Sequence, residues 1–322
     1  MKMGILGAGG IAGTMAATIA QMDTVESWAV AARDLSRAQA FAEKYGFQKA
    51  YGSYEEMLED PELELVYIAT LHPLHYEHVK LCLEHGKHVL CEKAFTMNAR
   101  QASELFALAA EKKLLLTEAI WTRYIPMRFI LDGLLKSGII GTPRSLTANL
   151  CYCLDHKERN LKPELGGGAL LDIGIYPLNF ACMVFPGEIA NMISSCRMNE
   201  YGVDDSDSII LNYADGQTAV LYSCQSASSD RNCVIYGTKG YIVAENVNNC
   251  QGVRVYNPRH ELIQDIRAPR QISGYEYEVE ACMEAIAHGW LECPQMPHAE
   301  TIRMMEVMDQ LRADWGLKYP ME

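Results

Sequence analysis

The sequence predicts an α/β chain: an N-terminal Rossmann-type, doubly wound parallel sheet, followed by an α+β domain with a large, mostly antiparallel open sheet. Three observations carry this. Over the first 120 residues, short runs of strand length alternate with segments of helical spacing. Those runs are apolar throughout rather than alternating, as in strands covered on both faces. Beyond them the alternation stops, and strand signals recur with turn residues between them.

The first strand is read at Met3–Gly7, followed by a glycine turn and a helix from Ile11 to Gln21. Strands follow at Val25–Ala32, Lys49–Tyr51, Leu63–Ala69, His88–Cys91 and Leu114–Glu118. Between them lie helices at Leu35–Lys44, Tyr54–Glu59, Leu74–His85 and Asn98–Lys112. After a helix at Phe129–Ser137, strand spacing appears at Arg144–Cys153 and recurs at Ile209–Tyr213, Thr218–Gln225, Cys233–Tyr236, Tyr241–Ala244 and Val253–Tyr256. Turns such as Asp215-Gly216 and Gly237-Thr238-Lys239-Gly240 separate the last five, and Asn257-Pro258 follows them, which reads as an antiparallel meander. Helical patterns return at Tyr277–His288 and Ala299–Trp315. The expected domains are therefore 1–120, binding the cofactor, and 121–322, binding substrate and a second subunit.

The 322 residues suit two domains at roughly 150 residues each. Hydrophobic residues at 49% and charged residues at 21% are globular usage. The net charge of −13 argues against nucleic acid or an anionic membrane as partner. No unbroken apolar run reaches membrane-spanning length, and Met1–Gly7 lacks the features of a signal peptide. The eleven cysteines are scattered. Cys151 and Cys153 form a pair, but no second pair stands at zinc-ligand spacing, so no metal is expected. Free thiols in this number point to a reducing cytoplasm.

Gly7-Ala8-Gly9-Gly10-Ile11-Ala12 joins the first strand to the first helix and fits G-x-G-x-x-A. Gly7 permits the tight turn, Gly9 lets the backbone approach a pyrophosphate, and small Ala12 lets helix and sheet pack closely. The helix N-terminus then offers unpaired N–H groups to phosphate. Gly7, Gly9, Gly10, Ile11 and Ala12 are the expected pyrophosphate contacts. The second strand ends Ala31-Ala32-Arg33, with Arg37 one turn on, where an NAD-preferring site carries an acid. A guanidinium binds a 2′-phosphate bidentately. Arg33 and Arg37 thus predict NADP(H) as the preferred cofactor, with NAD(H) second; Asp34 remains placed to meet the ribose.

Thr70, Leu71, His72 and His75 follow one predicted parallel strand, and Glu92-Lys93 the next. Ligands of open α/β sheets bind at these C-terminal strand edges. All six are expected at the cofactor, His72 at the nicotinamide ribose or amide or else as a structural histidine, and His75 is also read as packing in the helix that follows. Trp121 and Arg123 come just after the last strand of the first domain and are expected at the cofactor or in packing.

These motifs resemble the Gfo/Idh/MocA family of oxidoreductases, which includes glucose–fructose oxidoreductase and inositol dehydrogenase. The resemblance rests on Gly7–Ala12, Gly86-Lys87-His88-Val89, Glu92-Lys93-Ala94 (with Ala94 where the family has proline) and the second signature Gly166-Gly167-Gly168-Ala169-Leu170-Leu171-Asp172-Ile173-Gly174-Ile175-Tyr176-Pro177. His72-Pro73-Leu74-His75 and Glu118–Tyr124 narrow it to the dimeric dihydrodiol dehydrogenase branch, also described as NADP-dependent D-xylose dehydrogenases. It implies hydride transfer between a nicotinamide and the hydroxyl-bearing carbon of a sugar, polyol or diol. It also implies a catalytic set of Lys93, Asp172 and Tyr176. Tyr176 exchanges the hydroxyl proton, Lys93 lowers the phenol's pKa, and Asp172 orients Lys93 or binds a substrate hydroxyl; the first two roles are open to exchange. Lys93, Tyr152, Asp155, Arg159, Asp172 and Tyr176 are the expected substrate contacts.

On its own, the run Gly166–Gly168 reads as a flexible loop, and Asp155–Leu165 as a solvated one. Two alternatives stand beside the dehydrogenase: a keto- or anhydro-sugar reductase using the same residues, and a non-catalytic sensor of NADP and sugar. The meander leaves one sheet face without a predicted helix, so a homodimer or higher oligomer is expected.

Overall fold

The computed structural model describes residues 1–154 and 156–322. In the first sheet, β1 (Lys2–Leu6), β2 (Glu26–Ala31), β3 (Lys49–Tyr51), β4 (Leu65–Ile68), β5 (His88–Glu92) and β6 (Leu116–Ala119) are all parallel. Their order is β3-β2-β1-β4-β5-β6. The order reverses between β1 and β4, the switch point at which dinucleotides bind. The crossovers are α1 (Gly10–Ile19), α2 (Leu35–Tyr45), α3 (Tyr54–Leu58), α4 (His75–Glu84) and α5 (Ala99–Lys112). Every residue of β4 is buried, as its unbroken apolar run requires.

The second sheet follows α6 (Pro126–Lys136). It comprises β7 (Pro143–Cys151), β8 (Ile189–Met198), β9 (Asp204–Tyr213), β10 (Thr218–Cys224), β11 (Cys233–Gly237), β12 (Gly240–Glu245), β13 (Gly252–Tyr256) and β14 (Leu262–Arg267). Its order is β14-β13-β12-β11-β7-β10-β9-β8. Central β7 pairs parallel with β10 and antiparallel with β11, so the sheet is mostly, not wholly, antiparallel. The sequence predicts neither edge strand. β8 mixes Asn191, Ser194, Ser195 and Arg197 into its length, and β14 is exposed almost throughout, so neither shows an apolar run.

Between β7 and β8 lie α7 (Glu158–Leu161), a π-helical turn at Leu170–Gly174 and α8 (Ile175–Val184). Nine of the ten α8 residues are buried. By apolarity Pro163–Val184 is long enough to cross a membrane, but its apolar window is buried in the fold. The last helices are α9 (Glu276–His288) and α10 (His298–Trp315).

By internal contacts the chain forms two units, Met1–Ile120 with Gln271–Glu306, and Trp121–Arg270 with Val307–Glu322. The sequence places Gln271–Glu306 in the second domain; the structure returns it to the first. The cause is the β6 edge, whose backbone groups need partners. Leu116 N–H donates to Leu291 C=O (3.1 Å), and Leu116 C=O accepts from His298 Nε2 (2.8 Å).

Candidate active site

Gly7 closes β1 with φ +111°, a left-handed conformation, and a Cβ there would lie 2.8 Å from Ala69 C=O. Only glycine fits. Gly9 and Gly10 differ: a Cβ on either would meet nothing within 4 Å. The space their missing side chains leave is what a pyrophosphate needs. No side chain caps α1 and no acid stands in its first turn, so its leading N–H groups and positive helix end are not spent on the protein itself. This turn fits a dinucleotide.

At the tip of β2, Arg33 and Arg37 are exposed; burial raises the phenol pKa of Tyr54, and both guanidiniums moderate that rise. Asp34 is engaged elsewhere: its carboxylate caps α2, accepting the Ser36 N–H and hydroxyl, both at 2.8 Å. Those hydrogen bonds hold its pKa below the usual carboxylate value.

Lys93 follows β5 on a backbone fixed from several sides, and the Lys93–Ala94 peptide bond is cis. Glu92 accepts the Lys93 N–H at 3.2 Å and the Tyr67 hydroxyl in a short hydrogen bond. The peptide unit joining Ala94 to Phe95 is held at both ends. Its carbonyl meets His75 Nδ1 (2.9 Å), and its N–H donates to Glu118 Oε1 (3.2 Å). Glu118 in turn accepts the Thr301 hydroxyl at 3.1 Å. The second His75 nitrogen faces Thr70 C=O at 3.1 Å. Burial lowers the His75 pKa, so the neutral ring donates to one carbonyl at a time. Fully buried, His75 serves this edge through the backbone it holds. His72 lies beside it, ring centroids 5.7 Å apart, and Thr70 Oγ1 pairs with His78 Nδ1 at 3.0 Å.

In the second unit the glycine run is close-packed, which corrects its reading as a flexible loop. Gly168 has φ +121°, and a Cβ there would lie 2.3 Å from Asp204 Oδ1. A Cβ on Gly167 would lie 2.7 Å from Asn160 C=O, and one on Gly174 2.8 Å from Ser223 Oγ. Leu170 N–H donates to Asp204 Oδ2 (2.5 Å), and Ser223 donates to Asp207 (2.6 Å). Burial, then the Asp207 charge, pushes the Asp204 pKa far up, and burial raises Asp207 to about 7. The π turn that starts here closes i→i+5 rings, a form frequent at functional sites, and bears Asp172. Asp172 is buried and accepts Asn160 Nδ2 at 2.6 Å, with the Arg159 guanidinium at 3.5 Å. Tyr176 follows on the first turn of α8, 7% exposed. Asn179, one turn later, donates to Ile175 C=O and accepts Arg123 Nε–H (2.7 Å).

Asp172 and Arg159 are thus brought together, with Asn160 between them in the sequence and almost wholly buried. That overturns the solvated reading for Asn160. Tyr152 pairs instead with Arg231 and Asn248, each 3.2 Å from its hydroxyl. Arg123 is 5% exposed and braces α8, while Trp121 opens the turn before it. Asp155 lies outside the described residues. Among the described residues no group of three His, Cys, Asp or Glu side chains is arranged for a metal. Reasoning from sequence misses Tyr67, Glu118, Asp204, Asp207, Ser223 and Tyr319. One signal was available: Asp207 shares the inward face of β9 with Ile209 and Leu211, an acid at an apolar position.

A nucleotide-competent parallel sheet joined to an open-sheet unit with a tyrosine-bearing helix defines a two-unit nicotinamide oxidoreductase. Residues 1–120 match the model of the Gfo/Idh/MocA oxidoreductase family with its NAD-binding Rossmann fold, and 131–243 match the Gfo/Idh/MocA C-terminal domain. The chain belongs to this family and is an enzyme acting on CH–OH groups with a nicotinamide cofactor. It is 36% identical to the human trans-1,2-dihydrobenzene-1,2-diol dehydrogenase over 100% of this chain and 99% of that one. The Xenopus tropicalis enzyme of that name is 35% identical, with 99% of each covered. Among solved structures, a 3-ketoreductase from Actinomadura kijaniata in complex with NADP and TDP-benzene superposes with a TM-score of 0.87, at 26% identity and 97% coverage of each chain. The aldose–aldose oxidoreductase of Caulobacter crescentus shares the fold, with a TM-score of 0.88 at 21% identity over 97% of this chain and 96% of that one.

Proposed function

We propose that this chain is an NADP(H)-preferring dehydrogenase that oxidises a hydroxyl of a small diol or sugar, with Tyr176 and Lys93 handling the proton. The observation that carries the reading is the joint presence of Lys93, Asp172 and Tyr176 on the two family signatures, with buried hydrogen bonds holding the nearby backbone at Phe95 and Leu170. A sensor that only binds needs no such set. The relatives named for diol oxidation favour the oxidative direction.

Bound nicotinamide takes up or supplies the hydride. Tyr176, as the phenolate, accepts the hydroxyl proton as the carbonyl forms, and as the phenol it returns a proton to the developing alkoxide in reverse. Lys93 is the second group we assign to the proton, and Asp172, oriented by Asn160, binds a substrate hydroxyl. Gly7, Gly9, Gly10, Ile11 and Ala12 hold the pyrophosphate, and Arg33 with Arg37 the 2′-phosphate. Asp34, whose carboxylate caps α2, is assigned no contact with the 2′-phosphate.

A second reading, reduction of a keto-sugar, is favoured by the 3-ketoreductase likeness and uses the same residues in reverse. Initial rates with NADP+ and NAD+ on pentoses, hexoses and trans-1,2-dihydrobenzene-1,2-diol, and with NADPH on keto-sugars, distinguish the two. Turnover in neither direction defeats both.

The open face of the second sheet carries exposed Ile193, Val220, Tyr222 and Tyr236, and a second copy of this chain is the partner we assign to it. Val220→Lys is expected to turn a sedimenting dimer into monomer. A wild-type monomer contradicts the assignment. All eleven cysteines are free thiols, nine of them buried, which favours the cytoplasm.

A further inference from the structure

We propose that Tyr319, on the segment after α10, is a positioning residue for Asp172 and Tyr176, its phenol fixing the glycine turn from which the π turn and α8 begin. The inference rests on the reading that those two side chains act on the substrate.

Tyr319 is 3% exposed, and its hydroxyl donates to Gly167 C=O at 2.6 Å. The turn is gripped at three points. Tyr319 takes the Gly167 carbonyl, Asn160 C=O accepts the Gly168 N–H (3.0 Å), and Asp204 accepts the Leu170 N–H. A Cβ on Gly168 would lie 2.3 Å from Asp204 Oδ1 and 3.1 Å from the Tyr319 hydroxyl, so the turn is wedged between them. The backbone held this way runs straight into Asp172, and Asn160, which holds the Gly168 N–H, also orients the Asp172 carboxylate.

The phenol is itself anchored. The Arg312 guanidinium lies 5.2 Å from its ring centroid. Arg312 pairs with Glu322 (2.7 Å) and Asp309 (2.6 Å), and Glu322 accepts the Tyr319 N–H at 3.2 Å. Burial, reinforced by the Asp204 carboxyl, holds the phenol's pKa far above its ordinary value, so the O–H stays a donor across the working pH range. Deleting that hydroxyl leaves the Gly167 carbonyl buried without this donor, and the turn shifts to find another.

Tyr319→Phe removes one oxygen and leaves the ring. It is expected to lower kcat about tenfold, as small displacements of catalytic groups do. NADPH binding, read by fluorescence titration, should be unchanged, because the cofactor turn lies in the other unit. Ser194→Ala is the control. It deletes the Trp315 Nε1 to Ser194 Oγ hydrogen bond (2.9 Å) at the end of α10 and should leave kcat unchanged. Asp204→Ala, which removes the acceptor of the Leu170 N–H, is expected to repeat the Tyr319→Phe pattern and serves if that variant does not fold. Wild-type kcat in Tyr319→Phe, or in Asp204→Ala where it stands in, overturns the proposal even if melting temperature falls. Tyr176→Phe is measured in parallel. If it is inactive while Tyr319→Phe is unaffected, only the positioning role fails. If Tyr176→Phe keeps full activity, the catalytic reading fails and the positioning role falls with it.

Discussion

The turn that carries Lys93 and the turn that leads to Tyr176 are fixed by different means. The first is the tip of a parallel strand, braced by its neighbours: Tyr67 lies 25 residues from Glu92, His75 19 from Ala94, and Glu118 23 from Phe95. The second stands on no strand. Besides Asn160 nearby, its braces come from 34 residues away in Asp204 and 152 away in Tyr319. In the first turn side chains from neighbouring elements hold the backbone by hydrogen bonds. In the second the backbone itself comes so close to its supports that glycine is required at Gly168. A strand tip inherits its position from the sheet, whereas a glycine turn must be pinned group by group.

The largest effect expected concerns chemistry. Lys93→Met should lower kcat by about a thousandfold, within the range for losing a proton-transfer partner, with NADPH affinity changed less than about twofold. A variant that loses cofactor affinity in proportion to kcat would make Lys93 a cofactor ligand rather than part of the proton machinery.

The two glycine turns should then respond in opposite senses. Gly168→Ala puts a methyl against the Asp204 carboxyl at a strained φ and is expected to destabilise by about 3 kcal/mol, seen as a lower melting temperature. Gly9→Ala meets open space in the protein, so melting of the unliganded chain should hardly change while cofactor affinity falls at least about tenfold. Equal thermal losses in both would erase the contrast.

Arg33→Ala probes the nucleotide end of the first unit. The Michaelis constant for NADP should rise by roughly 30-fold, the loss of charged hydrogen bonds, and that for NAD should stay near its original value. An equal rise for both would remove Arg33 as reader of the 2′-phosphate.

The smallest effect is a pH trend in the second unit. Burial lifts Asp207 from an ordinary 3.8 to about 7 in the folded chain. The folded state therefore holds this proton more tightly than the unfolded one. The stability it contributes is full at low pH and is lost as the pH rises from about 4 to about 7. Asp207→Asn should flatten that stretch of the melting-temperature profile. An unchanged slope would mean that Asp207 is ionised in the fold.

This contrast also explains what the sequence reveals. Gly7–Ala12, Arg33 and Glu92-Lys93 are legible because each is a short motif at the end of an apolar run, and the parallel sheet places run ends at one edge. Asp172 and Tyr176 become legible only through the family signature, since glycine runs by themselves read as loops. Their supports are not legible at all: nothing local links Tyr319 to Gly167, or Gln225 to the Asn160 carbonyl 65 residues earlier. The same long range hides the return of Gln271–Glu306 to the first unit, which answers a need of the β6 edge rather than a pattern of its own. His75 is placed correctly on the helix after β4, yet its use, gripping the carbonyl of Ala94, depends on a contact that no spacing rule announces.

The most direct test is a single-turnover measurement of NADPH formation. Wild-type enzyme and Tyr176→Phe, each saturated with NADP+, are mixed with the best alcohol substrate, and absorbance of the reduced nicotinamide is followed. The expected result is stoichiometric NADPH in the wild type and a rate lower by about a thousandfold in the variant, with NADP+ affinity unaltered. Hydride transfer at the wild-type rate in Tyr176→Phe would contradict the assignment of the proton to this phenol.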